Sequence, residues 1–184
     1  HIRLIRQANA GVSAARNRGV AEAKTAYIAL LDGDDEYLTG YIAEICRLME
    51  YYPSADGYST AFDIVNDGKR TAAPCPTTEG EINPAEEALK GRYPIIPSTA
   101  TLRRESIIRA GGFPEGMRLG EDQWLWARMM QCKMRFVFSP MSLVRYSRSA
   151  ANRSATIYRS EASEHSIEEL LNDNNTQILN EYIA

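Results

Sequence analysis

Cysteine and histidine are scarce in this chain of 184 residues. It has three cysteines, Cys46, Cys75 and Cys132, which lie far apart without a Cys-x-x-Cys pair, and two histidines. Disulfide-stapled scaffolds and cysteine–histidine zinc sites need several such residues at short, regular spacing, so the sequence indicates neither. Unpaired thiols of this kind are typical of a reduced, cytoplasmic protein.

Long apolar runs and an excess of one charge are also missing. No run approaches the roughly 18 apolar residues that a membrane span requires, and no signal peptide is visible. The formal net charge is −3, with the basic residues dispersed, so we expect no nucleic-acid partner. Peripheral attachment at the inner membrane surface stays open for an otherwise cytoplasmic protein.

The composition is that of a globular protein, with 44% hydrophobic and 24% charged residues. Apolar periodicity and turn residues predict alternating strands and helices, and therefore an α/β fold. We predict strands at 1–6, 26–31, 57–65, 98–102, 135–138 and 143–146, and helices at 14–24, 41–52, 84–90, 103–110 and from 122 onward. We also predict a loop at 69–83 and tail helices around 167–171 and 178–182.

The sequence is most distinctive at residues 26–35, where an apolar run ends in Asp32-Gly33-Asp34-Asp35. Such a run is typical of a buried strand, and open α/β sheets place ligands beyond the carboxyl ends of their strands. Two carboxylates spaced Asp-x-Asp can point at one site, and Mg²⁺ and Mn²⁺ prefer oxygen ligands of this kind. We therefore predict a metal–diphosphate site at Asp32 and Asp34. The alternative is an ordinary acidic turn, with Asp35 capping a following helix.

A second candidate residue is Arg16, in the helix predicted to begin near Ser13. The start of a helix presents free backbone N–H groups and the positive end of the helix dipole. Arg16 would add a charge-assisted contact to a phosphate bound there. The alternative is a solvated arginine on a surface helix.

A third candidate lies at Gly120-Glu121-Asp122, ahead of a run with helical spacing of apolar residues. The glycine interrupts what precedes it, so Asp122 is predicted at or near a helix N-terminus. The dipole favours the ionised carboxylate there, and that carboxylate can accept a proton from a substrate hydroxyl. A purely structural helix cap is the alternative. Trp124 and Trp126 cannot both face the core, so one of them borders a ligand pocket or lies partly buried at the surface.

These stretches together resemble glycosyltransferase family 2. The resemblance is carried by Asn9 to Gly19, by Tyr27 to Asp35, and by Gly120-Glu121-Asp122 before a Trp/Leu-rich helix, and residues 103–113 resemble the segment ahead of the family's catalytic helix. It implies an inverting enzyme with the nucleotide-diphospho-sugar transferase fold called GT-A, a central mixed, mostly parallel sheet flanked by helices. It divides the chain into a partial GT-A domain at 1–155 and a helical extension at 156–184.

The resemblance implies a donor site at four of the matching positions. Asp34 would bind the divalent cation, Mn²⁺ or Mg²⁺, that bridges the diphosphate of a nucleotide-diphospho-sugar. Asp32 would contact the ribose or the metal, and Arg16 and Asn17 would line the nucleotide side of the cleft.

It also implies a general base, Asp122, with Glu121 beside it at the acceptor or donor sugar, and we assign Trp124 to the nucleotide-sugar site. The implied reaction is a single displacement onto a saccharide or lipid-linked acceptor, as in polysaccharide biosynthesis. Arg148 and Arg153 would either reach the diphosphate or remain solvated.

One departure from the family pattern concerns the start of the chain. Nothing here resembles the strand-helix-strand unit with which family members begin. The lack of this unit predicts exposed sheet edges and weak donor binding. The alternative function is therefore a non-catalytic family module that serves binding or assembly.

Overall fold

The computed structural model describes residues 2–117 and 119–148. In these ranges the helices are α1 (Gly11–Glu22), α2 (Tyr41–Tyr51), α3 (Pro84–Leu89), α4 (Arg104–Arg109) and α5 (Glu121–Gln131). The strands are β1 (Tyr27–Ala29), β2 (Glu36–Tyr37), β3 (Gly57–Asn66), β4 (Lys69–Ala72), β5 (Gly80–Ile82), β6 (Thr101–Arg103) and β7 (Phe136–Ser147), and a short 3-10 helix covers Pro97–Thr99. None of the helices described is long and apolar enough to cross a bilayer.

The strands form one mixed sheet in the order β1-β6-β3-β7-β2, with β4 paired to β3 and β5 to β7. Its centre is the parallel pair β3 and β7, which runs from Gly57 opposite Phe136 to Val65 opposite Ser147. The mixed sheet is confirmed, but the expectation of mostly parallel strands is wrong. The other described pairings are antiparallel. Apolar strand patterns do not encode strand direction, and the two-residue turn between β3 and β4 forces those two strands to run antiparallel.

The core lies on both faces of this sheet. Successive side chains of a strand point to opposite faces, and accordingly Phe136 belongs to one hydrophobic cluster and Val137 to the other. The first cluster includes Leu125 and Trp126 of α5, and the second includes Leu48 of α2. Helices therefore cover the sheet from two sides.

Several predicted elements are confirmed almost to the residue. They are α2, β3, α4 and α3, the last of which is capped by the Asn83 side chain. The turn Asn66-Asp67-Gly68 closes the β3–β4 hairpin, with positive φ at Asp67 (47°) and Gly68 (75°). Asn-Asp-Gly combinations favour such turns because these residues tolerate the left-handed region.

Four predicted elements need correction. Residues 2–6 form no strand, and Ile2 and Leu4 are exposed, because no described strand pairs with them. The predicted loop 69–83 contains β4 and β5, and the two strands predicted at 135–138 and 143–146 are one strand, β7, with a register shift. Within the confirmed helix α2, the charged Glu44 is buried against Ser139, whereas the apolar Ile42 is exposed.

Two predictions near the candidate site also change. Helix α1 begins at Gly11, earlier than the predicted start near Ser13, so Ser13 lies inside the helix. Strand β1 covers Tyr27–Ala29 and is half-buried, because it lies at the end of the described strand order and pairs with β6 alone. The predicted tail helices, the residues from 156 onward and Arg153 lie outside the described residues.

Candidate functional site

The guanidinium of Arg16 joins two of the predicted site segments. It donates to Asp32, beyond β1, at 2.8 Å and 3.2 Å, and to Glu121, the first residue of α5, at 2.7 Å. The side chains of Arg16 and Glu121 are 10% and 12% exposed, and that of Asp32 is 36% exposed. Segments far apart in sequence thus meet at one half-buried ion cluster, which we call the Arg16 cluster (Arg16, Asp32 and Glu121).

The charge of Arg16 is stabilised by this arrangement. Burial alone would lower the pKa of Arg16, but the charges and hydrogen bonds of Asp32 and Glu121 outweigh it, so the pKa is raised. The guanidinium carbon also lies 5.3 Å from the centre of the Phe113 ring, a cation–π contact. Arg16 is therefore a fixed positive charge and not the solvated surface arginine of the alternative interpretation.

Asp122 lies in the first turn of α5, as predicted. Gly120 precedes the helix in the left-handed conformation, with φ of 80°. The Asp122 Oδ1 accepts from the backbone N–H of Gln123 at 2.9 Å. Burial and the negative charge of Glu121 raise the pKa of Asp122, against the smaller opposing effects of Gln123 and Arg16. A carboxylate with raised proton affinity at a helix start is suited to accept a proton.

Hydrogen bonds from the 3-10 helix and from strands β2 and β7 hold the acidic turn in place. The Asp32 N–H donates to Ser98 Oγ at 3.1 Å, and the Tyr37 hydroxyl donates to the Leu30 carbonyl at 2.5 Å. Asp35 Oδ1 accepts from the Ser147 N–H at 2.9 Å, at the end of β7. Asp35 is followed by β2 and therefore caps no helix.

Asp34 is the exposed carboxylate of this turn. Among the residues that the structure describes, it has no ion-pair or hydrogen-bond partner, whereas Asp32 is partly neutralised by Arg16. No group of three or more histidine, cysteine, aspartate or glutamate side chains within the described ranges is arranged to hold a metal. Mg²⁺ usually binds through one or two carboxylates together with substrate phosphates. A cation held by Asp34 and Asp32 together with a substrate diphosphate stays a prediction.

The two tryptophans of α5 face different surroundings. Trp126 is 4% exposed and packs edge-on against Phe113 and Phe136 in the core. Trp124 is partly exposed, with the Arg128 guanidinium 5.5 Å from its ring. This placement confirms that the two tryptophans do not both face the core. The contact between Trp124 and a sugar stays a prediction.

The structure also brings in residues that the sequence interpretation missed. Phe113 lies under Arg16, and Asn17, predicted at the nucleotide, has its side-chain amide on the backbone of Phe113. Ser98 supports the acidic turn. Phe113 follows Gly111-Gly112, which signals a tight turn but not its partner, and nothing in the sequence distinguishes Ser98 from other buried serines.

Comparison with known proteins identifies the family. The family model described as glycosyl transferase family 2 matches residues 1–111. The pre-mycofactocin glycosyltransferase of Mycobacterium tuberculosis H37Rv is 29% identical over 151 residues, 73% of this chain and 29% of that protein. The uncharacterised glycosyltransferase YibD of Escherichia coli is 57% identical over 42 residues, 22% of this chain and 12% of that protein. The chain spans less than a third of the length of these curated relatives.

A solved structure gives the fold. The crystal structure of S. aureus TarS in complex with UDP-GlcNAc has a TM-score of 0.67 and 16% identity, and the match covers 95% of this chain and 52% of that one. The mixed sheet flanked by helices is the GT-A arrangement expected from the sequence. The chain belongs to glycosyl transferase family 2 and has the GT-A fold.

Proposed function

We propose that this chain carries the donor site and the general base of an inverting glycosyltransferase. Such an enzyme transfers a sugar from a nucleotide-diphospho-sugar to an acceptor hydroxyl. The observation that supports the proposal best is the Arg16 cluster, because its hydrogen bonds join the acidic turn to the start of α5. Donor-binding and proton-accepting groups would then lie at one site.

On the donor side, Asp34 and Asp32 would hold a divalent cation, Mn²⁺ or Mg²⁺, against the donor diphosphate. When bound there, the cation would neutralise charge on the leaving nucleoside diphosphate. Arg16 supplies a fixed positive charge next to Asp32 and limits how Asp32 can turn. Trp124 offers a partly exposed aromatic face of the kind that packs on sugar rings.

On the acceptor side, Asp122 would take the proton of the attacking hydroxyl. The acceptor oxygen forms its bond to the anomeric carbon as the bond to the diphosphate oxygen breaks on the opposite face, so the configuration inverts. A well-placed general base contributes about 10²- to 10⁴-fold to the rate. Glu121 is held by Arg16, and its charge raises the proton affinity of Asp122.

The donor class can be narrowed by the solved neighbour. TarS was solved with UDP-GlcNAc, so uridine-diphospho-sugars come first in a screen of this chain.

We propose a saccharide or lipid-linked acceptor in polysaccharide biosynthesis, and a cytoplasmic location with peripheral attachment to the inner membrane surface. Thermal-shift measurements with Mn²⁺ and a panel of nucleotide sugars would identify the donor, since a ligand stabilises the state that it binds.

The proposed chemistry is tested by sugar transfer or donor hydrolysis with Mn²⁺. We expect Asp122→Asn to lower the rate by about 10²-fold or more, because it removes the general base. Asp34→Ala should raise the Mn²⁺ concentration needed for half-maximal rate. Glu105→Gln, which removes an exposed carboxylate from the first turn of α4, is the matched control and should change neither value.

Equal rates in all three variants would contradict the proposed transfer mechanism. A chain that binds a donor without transferring its sugar would instead be the non-catalytic family module.

A further inference from the structure

We infer that Asn17 is a positioning residue that fixes the segment ahead of α5, and through it Asp122, and is not a ligand of the nucleotide. The catalytic part of this inference rests on the proposed function. The structural part concerns contacts between α1 and residues 112–115 and holds for the folded chain whether or not it transfers sugar.

The side-chain amide of Asn17 pairs with the backbone of Phe113 in both directions. The Phe113 N–H donates to Asn17 Oδ1 at 2.8 Å, and Asn17 Nδ2 donates to the Phe113 carbonyl at 2.8 Å. Reversing the amide would set donor against donor and acceptor against acceptor, so the assignment of its oxygen and nitrogen is unambiguous. We call this two-bond contact the Asn17 clamp.

The hydrogen-bonding capacity of Asn17 is nearly used up by these contacts. A carboxamide has two N–H donors and one oxygen acceptor. The second N–H donates to Glu115 Oε1 at 3.1 Å. While the Asn17 clamp and the bond to Glu115 are both made, no donor of Asn17 remains for a ribose or phosphate oxygen.

The side chain of Phe113 connects this backbone segment to α5 through its contacts with Trp126 and Arg16. Its side chain is 1% exposed and meets the Trp126 ring edge-on at 6.5 Å. The same ring lies under the guanidinium of Arg16, which holds Glu121. A shift of Phe113 would therefore move α5 and change the surroundings of Asp122, which follows Glu121 directly.

Gly112 provides an independent geometric sign that the contact is tight. A Cβ at Gly112 would lie 2.8 Å from Asn17 Oδ1, closer than real Cβ contacts. A Cβ at the neighbouring Gly111 would meet no atom within 4 Å. Both glycines have positive φ, 93° at Gly111 and 75° at Gly112, so alanine strains the backbone at either position. The two positions differ in whether the new methyl group pushes against Asn17.

The experiment compares Asn17→Ala, Gly112→Ala and the matched control Gly111→Ala in the full 184-residue chain. Residue-level amide hydrogen exchange follows the Phe113 N–H directly. Both tryptophans lie in α5, so intrinsic fluorescence reports on that helix. We expect Asn17→Ala and Gly112→Ala to speed Phe113 exchange by roughly tenfold or more, because an interior amide loses its acceptor. Both should shift the tryptophan emission. Gly111→Ala adds the backbone strain without the contact to Asn17, so it should change both signals clearly less than Gly112→Ala does.

The kinetic readout separates positioning from binding. For Asn17→Ala we expect kcat of transfer to fall roughly 10- to 100-fold, as for a misplaced catalytic group, while the Kd for UDP with Mn²⁺ changes less than about twofold. Unchanged Phe113 exchange together with a large rise in that Kd would overturn the inference and make Asn17 a nucleotide ligand. Equal effects of Gly111→Ala and Gly112→Ala would overturn the clamp. Should the parent chain transfer no sugar, the proposed function fails, and the exchange and fluorescence results still decide the clamp.

Discussion

At the scale of single residues, Arg16 is important because its position in α1 lets one side chain pair with both Asp32 and Glu121. Its planar guanidinium reaches two carboxylates from different elements at once, which the single ammonium of a lysine cannot do with the same geometry. Without Arg16, Asp32 and Glu121 would lose their shared counter-charge in a half-buried place. The stability of the fold and the geometry of the candidate site therefore depend on the same residue.

We expect Arg16→Met to lower the free energy of unfolding by about 2 kcal/mol. This is less than the roughly 3–5 kcal/mol for breaking a fully buried pair, because Asp32 keeps some contact with water. Arg18→Met is the matched control on the same helix. It removes the exposed i,i+4 pair with Glu22, which should cost no more than about 0.5 kcal/mol. Urea denaturation of both variants measures the difference, and equal losses would show that the Arg16 cluster is not a stabilising unit.

At neutral pH, the ionised side chain of Asp122 should lower the free energy of unfolding. Its pKa in the folded chain lies above the ordinary value of 3.8, chiefly through burial, so the folded state takes up the proton more readily than the unfolded state. The stabilisation that protonated Asp122 gives the folded state is fully present below the ordinary pKa and is lost as the pH rises through the folded-state pKa. Asp122→Asn should therefore raise the free energy of unfolding at pH 7, with a gain that shrinks as the pH is lowered through this window.

Urea denaturation at several pH values, with Glu105→Gln as the exposed-carboxylate control, measures this gain. A loss of stability at pH 7 in Asp122→Asn would contradict the raised pKa. Only ionised Asp122 accepts a proton. The raised pKa should therefore make the transfer rate fall at a higher pH than it would if the base were an aspartate with an ordinary pKa.

At the scale of elements, the packing of β3 between its neighbours depends on a residue without a side chain. A Cβ at Gly57 would lie 2.7 Å from Phe136 and 2.9 Å from Leu102, which belong to the flanking strands β7 and β6. Gly57→Ala should therefore destabilise the fold by about 1–3 kcal/mol through overpacking. Gly19→Ala in α1 is the control. A Cβ there would meet no atom within 4 Å apart from the surrounding helix backbone, so the substitution should stabilise the helix by up to about 1 kcal/mol. Thermal unfolding of the two variants distinguishes them by sign, and a stabilised Gly57→Ala would contradict the packing.

The elements that sequence predicts best are those whose pattern is local. Helix α2 shows a clear apolar periodicity, and the Asn66-Asp67-Gly68 turn carries its own backbone preference. Strand direction, the continuity of β7 and the two short strands within 69–83 depend on partners elsewhere in the chain. For the same reason the motifs pointed to Arg16, Asp32 and Glu121 separately, whereas the contact between Arg16 and Glu121, 105 positions apart, required the folded sheet.

At the scale of the whole molecule, the candidate site is made by three chain segments that the sheet brings together. Helix α1 supplies Arg16, the turn after β1 supplies the aspartates, and α5 supplies the proposed base. The sheet is covered by helices on both faces, and the acidic turn lies beyond the carboxyl end of β1, where α/β sheets place ligands. The catalytic account requires that a cation at the turn lie close to the first residues of α5 and far from its end.

Paramagnetic broadening by Mn²⁺ in the presence of UDP measures this proximity directly, residue by residue, and works with weak binding. We predict broadening of the backbone amides of Asp34 and Glu121, weakening along α5 towards its last residue, Gln131, which lies about 15 Å further along the helix axis than Glu121 at 1.5 Å per residue. Asp34→Ala should abolish the gradient. Broadening that is uniform along α5, or unchanged by Asp34→Ala, would contradict a metal site shared by the acidic turn and the start of α5.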